Sequence, residues 1–317
     1  MDYQAFRSFR DAVVRARAVL RLDCMNPAQA LARWRHAPVR SAAAADPRRG
    51  LAAWVGATGL AIAADRLAQG TGVRDLLAAA LATLPGRRLG LPVDVYPVYW
   101  QIARAAGFAP VGFSTLAGLD LAVLADVEVV VVPVPLTPAG RDLRADELAA
   151  LQAWLAGDPR RLLIVDAAYA YDHAALAPAL GLLAGEQCVA LFSCTKPWLV
   201  AEGLGVAAGP RGMVPALGGA PGPGLGQAVA TLERQPELPA LQQAAFRREW
   251  ARLAPAVQAA VPGWSPPTTG YFAVVAAAAA TLLADHDILA VPASVFGSAR
   301  GDLSVVTCLH DLVEHEG

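Results

Sequence analysis

The feature that most constrains this chain is a regular alternation of helix-period and strand-like segments through its first two thirds. The spacing of apolar residues predicts helices over residues 73–84, 99–106 and 145–155, and strands over 88–91, 127–134 and 161–165. Such alternation implies a parallel sheet covered by helices. The runs Val129-Val130-Val131-Val132 and Leu162-Leu163-Ile164-Val165 carry no polar residue, as strands buried on both faces require. They are expected at the centre of the sheet.

The flanks read differently. Over residues 3–31, Phe6, Phe9, Val13, Val14, Ala18 and Leu20 stand near helical spacing, which predicts an amphipathic N-terminal helix. A basic, alanine-rich linker over 37–50 leads to a second helical stretch over 50–67, and then to the turn Gly70-Thr71-Gly72. A Gly/Pro-rich stretch at 209–226 breaks the alternation, and a long helical region follows from residue 228. The expected fold is α/β. Residues 48–226 form a three-layer α/β/α domain on a mostly parallel sheet, residues 227–317 form a smaller α+β domain, and the helix and linker of 1–47 join the smaller one.

Charge and cysteine usage narrow the partners. The 317 residues hold 26 Lys plus Arg against 27 Asp plus Glu, so nothing favours nucleic acid, and a small-molecule site is the better expectation. Cys24, Cys188, Cys194 and Cys308 lack CxxC spacing, which predicts a reducing, cytoplasmic setting and no metal site. The longest apolar stretch, residues 271–284, is shorter than the roughly 20 residues that cross a bilayer, so no membrane association is expected.

Open parallel sheets place ligands at the C-terminal ends of their strands. Asp166 in Asp166-Ala167-Ala168-Tyr169 ends the 161–165 strand, where a carboxylate either caps a helix or meets a cation such as a protonated pyridine nitrogen. A strand over 189–192 runs into Ser193-Cys194-Thr195-Lys196-Pro197-Trp198. A lysine there is either a surface loop residue or a desolvated amine able to form a Schiff base. The Gly70-Thr71-Gly72 turn opens a helix whose free N–H groups suit a phosphate.

In chain order, the glycine turn, Tyr96-Pro97-Val98-Tyr99, Thr137-Pro138-Ala139-Gly140, Asp166 to Tyr169 and Ser193 to Lys196 resemble the class I/II aminotransferase family. These are fold-type I pyridoxal-phosphate (PLP) enzymes, similar to aspartate aminotransferase. The resemblance extends from Gly50-Leu51 to Val291-Pro292-Ala293-Ser294-Val295-Phe296-Gly297, as in a short and divergent member. It implies that Lys196 bonds the aldehyde of pyridoxal 5'-phosphate and shuttles the Cα proton, and that Asp166 keeps the pyridine nitrogen protonated. It further implies that Tyr169 and Thr137 approach the cofactor's phenolic oxygen, Tyr96 stacks on its ring, and Gly70, Thr71, Gly72 and Ser193 bind its phosphate. A two-fold homodimer is implied as well.

Four departures qualify the resemblance. Thr137 replaces an asparagine, Leu204 stands where an arginine pairs with the phosphate, and no tyrosine occurs between Tyr3 and Tyr96 to reach a partner's phosphate. Arg48, Arg49 or Arg74 would have to replace the missing charge. After Phe296-Gly297, Ser304 and Val305 occupy the place of the arginine that grips a substrate α-carboxylate, with Arg300 a few residues early. The expected activity is therefore a biosynthetic transamination of an unusual amine without a free α-carboxylate: an ω-amine, an amino sugar or a peptide N-terminal residue. Another PLP reaction, such as decarboxylation, elimination or oxidation, and a non-catalytic partner subunit are the alternatives.

Overall fold

The computed structural model describes residues 1–26, 46–116, 118–173, 176–200, 204–219 and 225–310. Twelve strands are described. They are β1 (Leu20–Arg21), β2 (Leu67–Gly70), β3 (Leu89–Pro92), β4 (Val111–Phe113), β5 (Val129–Pro133) and β6 (Leu162–Ala167), then β7 (Cys188–Ser193), β8 (Gly205–Ala208), β9 (Phe272–Val275), β10 (Ile288–Leu289), β11 (Val291–Pro292) and β12 (Ser304–Thr307).

Seven of them form one sheet in the order β2-β8-β7-β6-β5-β3-β4, in which β8 alone runs antiparallel to its neighbours. The valine run of β5 pairs with the aliphatic run of β6 from Val129↔Leu162 to Pro133↔Asp166, so both predicted central strands lie at the centre. Alternate residues serve opposite cores. Val130, Val132, Leu163 and Val165 join Trp54, Phe192 and Leu225 on one face. Val129, Val131, Leu162 and Ile164 join Leu76, Leu77 and Tyr99 on the other. Helices Val73–Ala82, Val98–Ala105 and Ala145–Ala156 connect the strands, close to their predicted limits.

The remaining strands build a smaller unit, the antiparallel order β11-β12-β9 and the parallel pair β1-β10. Its core unites the two ends of the chain, since Phe6 and Leu22 pack with Phe246, Trp250, Tyr271 and Val305. The 23-residue helix Leu238–Ala260 supplies Phe246 and Trp250.

Several expected boundaries are corrected. The N-terminal helix spans Tyr3–Ala16 and does not continue to residue 31, because Leu20 and Arg21 pair with Ile288 and Leu289 as a strand. Tertiary pairing overrides helical spacing there. The helix expected over 50–67 runs Pro47–Thr58 and stops at Gly59 in the left-handed region (φ 65), and Leu67 opens β2. Of the linker placed at 37–50, residues 37–45 lie outside the described residues, as do 220–224 of the Gly/Pro-rich stretch.

Candidate active site

Three parallel strands end at one place. Pro133, Asp166 and Ser193, from β5, β6 and β7, border a cavity of about 1120 Å³, joined there by Thr137, Ala168, Tyr169, Thr195 and Lys196. Asp166 is almost fully buried. It accepts a 2.8 Å hydrogen bond from the Ala168 amide and another from the Tyr99 hydroxyl. Burial pushes its carboxyl up from 3.8 to about 6, although both donors act in the opposite direction. No cation approaches it among the described hydrogen bonds and ion pairs.

Lys196 is half-buried, and its Nζ lies 6.0 Å from the centre of the Tyr169 ring. Desolvation, then the Arg74 guanidinium, lowers the pKa of its ammonium below the usual lysine range. The lysine loop is tied at both sides: Cys194 N–H donates to Leu204 at 2.9 Å, Trp198 N–H to Cys194 at 3.1 Å, and the Gln242 amide to Pro197. Ser193 Oγ accepts from the Thr195 amide at 3.1 Å. Tyr169 packs against Tyr271 and Phe272, with ring centres 5.9 and 5.8 Å away, and burial pushes its phenol up to about 12.

The glycine turn contributes to the cavity wall. Thr71 and Gly72 line the cavity, but Gly70 does not. An added Cβ at Gly70 would lie 3.0 Å from Leu76 Cδ2, so that position faces the core. Gly205 lacks a side chain where one would stand 2.7 Å from the Gly72 Cα, which lets β8 support the turn. Of the three arginines considered for the phosphate, only Arg74 lines the cavity, whereas Arg49 pairs with Glu233. Asp75 lines it too and takes the hydroxyl of Thr71. Leu204 is buried. Thr137 turns its hydroxyl back to the Pro135 carbonyl at 3.3 Å.

Tyr96 borders the cavity but remains 50 % exposed, with the Arg74 guanidinium 5.9 Å from its ring. Tyr99, one turn later, holds Asp166. Its position beside Tyr96 was visible in the sequence, but its contact with β6 was not. Ser304 and Val305 are fully buried in β12 and do not line the cavity, and Arg300 stands exposed in a fork with Asp302 (2.7 and 2.5 Å). Instead, the N-terminal segment brings Arg10, Asp11, Arg15, Arg21 and Asp23 to the cavity wall.

No protein-family model matches the sequence, and no curated protein does. Solved structures do. An aspartate aminotransferase from Rhizobium meliloti superposes with a TM-score of 0.72 at 18% identity, covering 98% of this chain and 94% of that one. An Escherichia coli protein described as having a methionine aminotransferase function gives 0.75 at 17% identity, over 96% and 93% of the chains. A probable N-succinyldiaminopimelate aminotransferase from Thermus thermophilus gives 0.74 at 18% identity, over 98% and 96%. The polypeptide therefore has the aspartate-aminotransferase fold, that of the fold-type I PLP enzymes.

Proposed function

We propose that the protein is a PLP-dependent aminotransferase. The observation that carries this reading is a buried carboxylate, Asp166, that meets no cation among the described residues and borders the same cavity as a desolvated lysine, Lys196. Left alone, the pair is costly to fold; a group bearing both an aldehyde and a basic ring nitrogen satisfies both partners. The donor set therefore fits pyridoxal phosphate. Lys196 would hold its aldehyde carbon, Asp166 its ring nitrogen, Tyr169 its phenolic oxygen, and Thr71, Gly72, Ser193 and Arg74 its phosphate. Tyr96 would cover the ring. When bound, the cofactor supplies an electron sink for a carbanion at the substrate Cα.

The chain's own residues supply the rest. Lys196 Nζ, its basicity lowered by burial, is suited to take the Cα proton and return it. Asp166 holds a proton on the ring nitrogen, and Tyr99 holds Asp166. Phe272 and Phe296 line the cavity and limit water there.

The substrate reading is an amine without an adjacent free carboxylate. It is supported by the buried, cavity-remote Ser304 and Val305 and by the outward pairing of Arg300 with Asp302. A two-fold homodimer in the cytoplasm completes the proposal, supported by the exposed Tyr3, Phe9 and Val14 on the first helix and by four free cysteines.

Adding pyridoxal phosphate to the protein and reducing with borohydride tests the reading. Mass spectrometry is expected to find the cofactor fixed to Lys196, and no fixed cofactor in Lys196→Ala. Label on another lysine, or none in the unaltered protein, removes the proposal.

A further inference from the structure

If strand β12 offers no cation, the remainder of the substrate must be recognised elsewhere, and the N-terminal segment has the groups to do it. Arg21 lies in β1, fixed by its pairing with Leu289 of β10. The next residue, Leu22, is buried, donates to the Leu289 carbonyl at 3.0 Å and accepts from Thr307 at 2.9 Å. The backbone beneath Arg21 is thus anchored on two strands. Asp23, two residues on, has a side chain with no exposed surface. Its two oxygens accept from Arg21 Nε at 2.8 Å and Nη2 at 3.0 Å.

This fork occupies only one edge of the guanidinium. Five N–H bonds radiate from an arginine head; Asp23 uses the Nε and Nη2 edge, which leaves the Nη1 and Nη2 edge as a second fork of matching geometry. Arg21 borders the cavity that holds Lys196. A buried carboxylate behind the guanidinium prevents it from swinging away, so its outer edge meets a ligand already oriented. The neighbouring charges favour an anion: Arg10, Arg15 and Arg21 line this wall against Asp11 and Asp23. Arg10 is itself engaged with Asp11 at 2.7 Å and lies 3.9 Å from Asp23, which leaves Arg21 as the anchored receptor.

We propose that Arg21, held by Asp23, is the specificity residue that receives an anionic group, a carboxylate or a phosphate, carried by the amine substrate. The inference rests on the PLP reading for the word substrate, but the anion site itself can be measured without turnover.

The test is calorimetric titration of the protein, in the presence of pyridoxal phosphate, with glutarate, its uncharged diamide and inorganic phosphate. The unaltered protein is expected to bind glutarate or phosphate at least about tenfold more tightly than the diamide, the tighter anion naming the preferred group. Arg21→Gln is expected to remove that preference, Arg21→Lys to keep part of it because a point charge lacks the fork, and Asp23→Asn to weaken it. In turnover, 5-aminopentanoate should exceed pentylamine in kcat/KM, and Arg21→Gln should abolish the difference by raising KM for 5-aminopentanoate. Equal binding of glutarate and its diamide, or an undiminished preference in folded Arg21→Gln, overturns the proposal. Should Arg21→Gln fail to fold, an undiminished preference in Arg21→Lys does so. Failure of the PLP reading looks different: no borohydride-fixed cofactor in the unaltered protein, with Arg21-dependent anion binding intact.

Discussion

The Tyr99 hydroxyl donates to Oδ2 of Asp166, joining the first turn of helix Val98–Ala105 to the C-terminal end of β6 across 67 residues of sequence. Both residues are buried. Burial and the negative charge of Asp166 raise the Tyr99 phenol well above 10, so it remains a donor throughout the physiological range. The bond stabilises the ionised carboxylate, the form that can hold a proton on a facing ring nitrogen.

Tyr99→Phe is therefore expected to make Asp166 harder to ionise. A hydrogen bond to a charged group contributes roughly 1.5–3 kcal/mol, which moves the acid limb of the activity profile up by at least about one pH unit. Turnover should fall about tenfold at pH 6 and much less at pH 8.5. A uniform loss at both values would mean that Tyr99 acts by packing alone.

Asp166 also sets a pH dependence of stability in the cofactor-free protein. Its folded-state value of about 6 lies above the ordinary 3.8, so the native state binds the extra proton between these limits. Stability attributable to this group is full below pH 3.8, falls as pH rises to about 6 and stays low above it. The loss is on the order of 3 kcal/mol. Urea unfolding of cofactor-free Asp166→Asn should show higher stability than the unaltered protein at pH 8, the difference shrinking toward pH 4. An equal difference at both pH values contradicts the assigned ionisation.

On the cavity wall, two adjacent residues carry opposite charge. Arg74 and Asp75 both line the cavity in the first turn of helix Val73–Ala82, and Asp75 holds the Thr71 hydroxyl. Arg74→Gln should weaken cofactor binding by about tenfold, whereas Asp75→Asn, by freeing Thr71 and removing a negative charge, should strengthen it. Arg74→Gln should also raise the pH at which the Lys196 amine becomes reactive, since Arg74 is one of the two causes that lower it. Fluorescence titration with pyridoxal phosphate reads the first pair of effects. Same-direction changes in the two variants would show that charge is not the controlling quantity.

How far the molecule was legible in its sequence depended on how local the signal was. The aliphatic runs of β5 and β6 announce burial on both faces, and the parallel pairing of β6 with β7 brings Asp166 and Lys196 to one cavity. β8 has only Gly-Val-Ala-Ala, too short and too small to announce a strand; pairing with β7 and β2 defines it. Arg21 and Asp23 were obscured by a helical spacing that extends past residue 16. Their separation by two places them on one side of an extended chain, a signal that a helical reading suppresses. The bond from Tyr99 to Asp166 depends on how the helix is oriented against the sheet, which no local pattern encodes.

Gly140 lies where the turn after β5 meets the smaller sheet. Its φ of 71 lies in the left-handed region, and its carbonyl accepts from Thr268 at 3.0 Å and Thr269 at 3.2 Å. An added Cβ would collide with the Phe272 carbonyl oxygen and stand 2.6 Å from Pro267 Cβ. Phe272 opens β9 and lines the cavity, so the collision would push a wall of the site outward. Gly59 offers an internal control, since its φ of 65 is similar but nothing lies within 4 Å of an added Cβ. Gly59→Ala should lose only the backbone preference, roughly 1–2 kcal/mol. Gly140→Ala should lose at least about 3 kcal/mol, because backbone strain and overpacking combine. Phe272 moves with it, so cofactor binding should weaken in Gly140→Ala but not in Gly59→Ala. Chemical denaturation and cofactor titration of the two variants decide the point: equal stability losses with unchanged cofactor affinity would mean that the turn and β9 are not in tight contact.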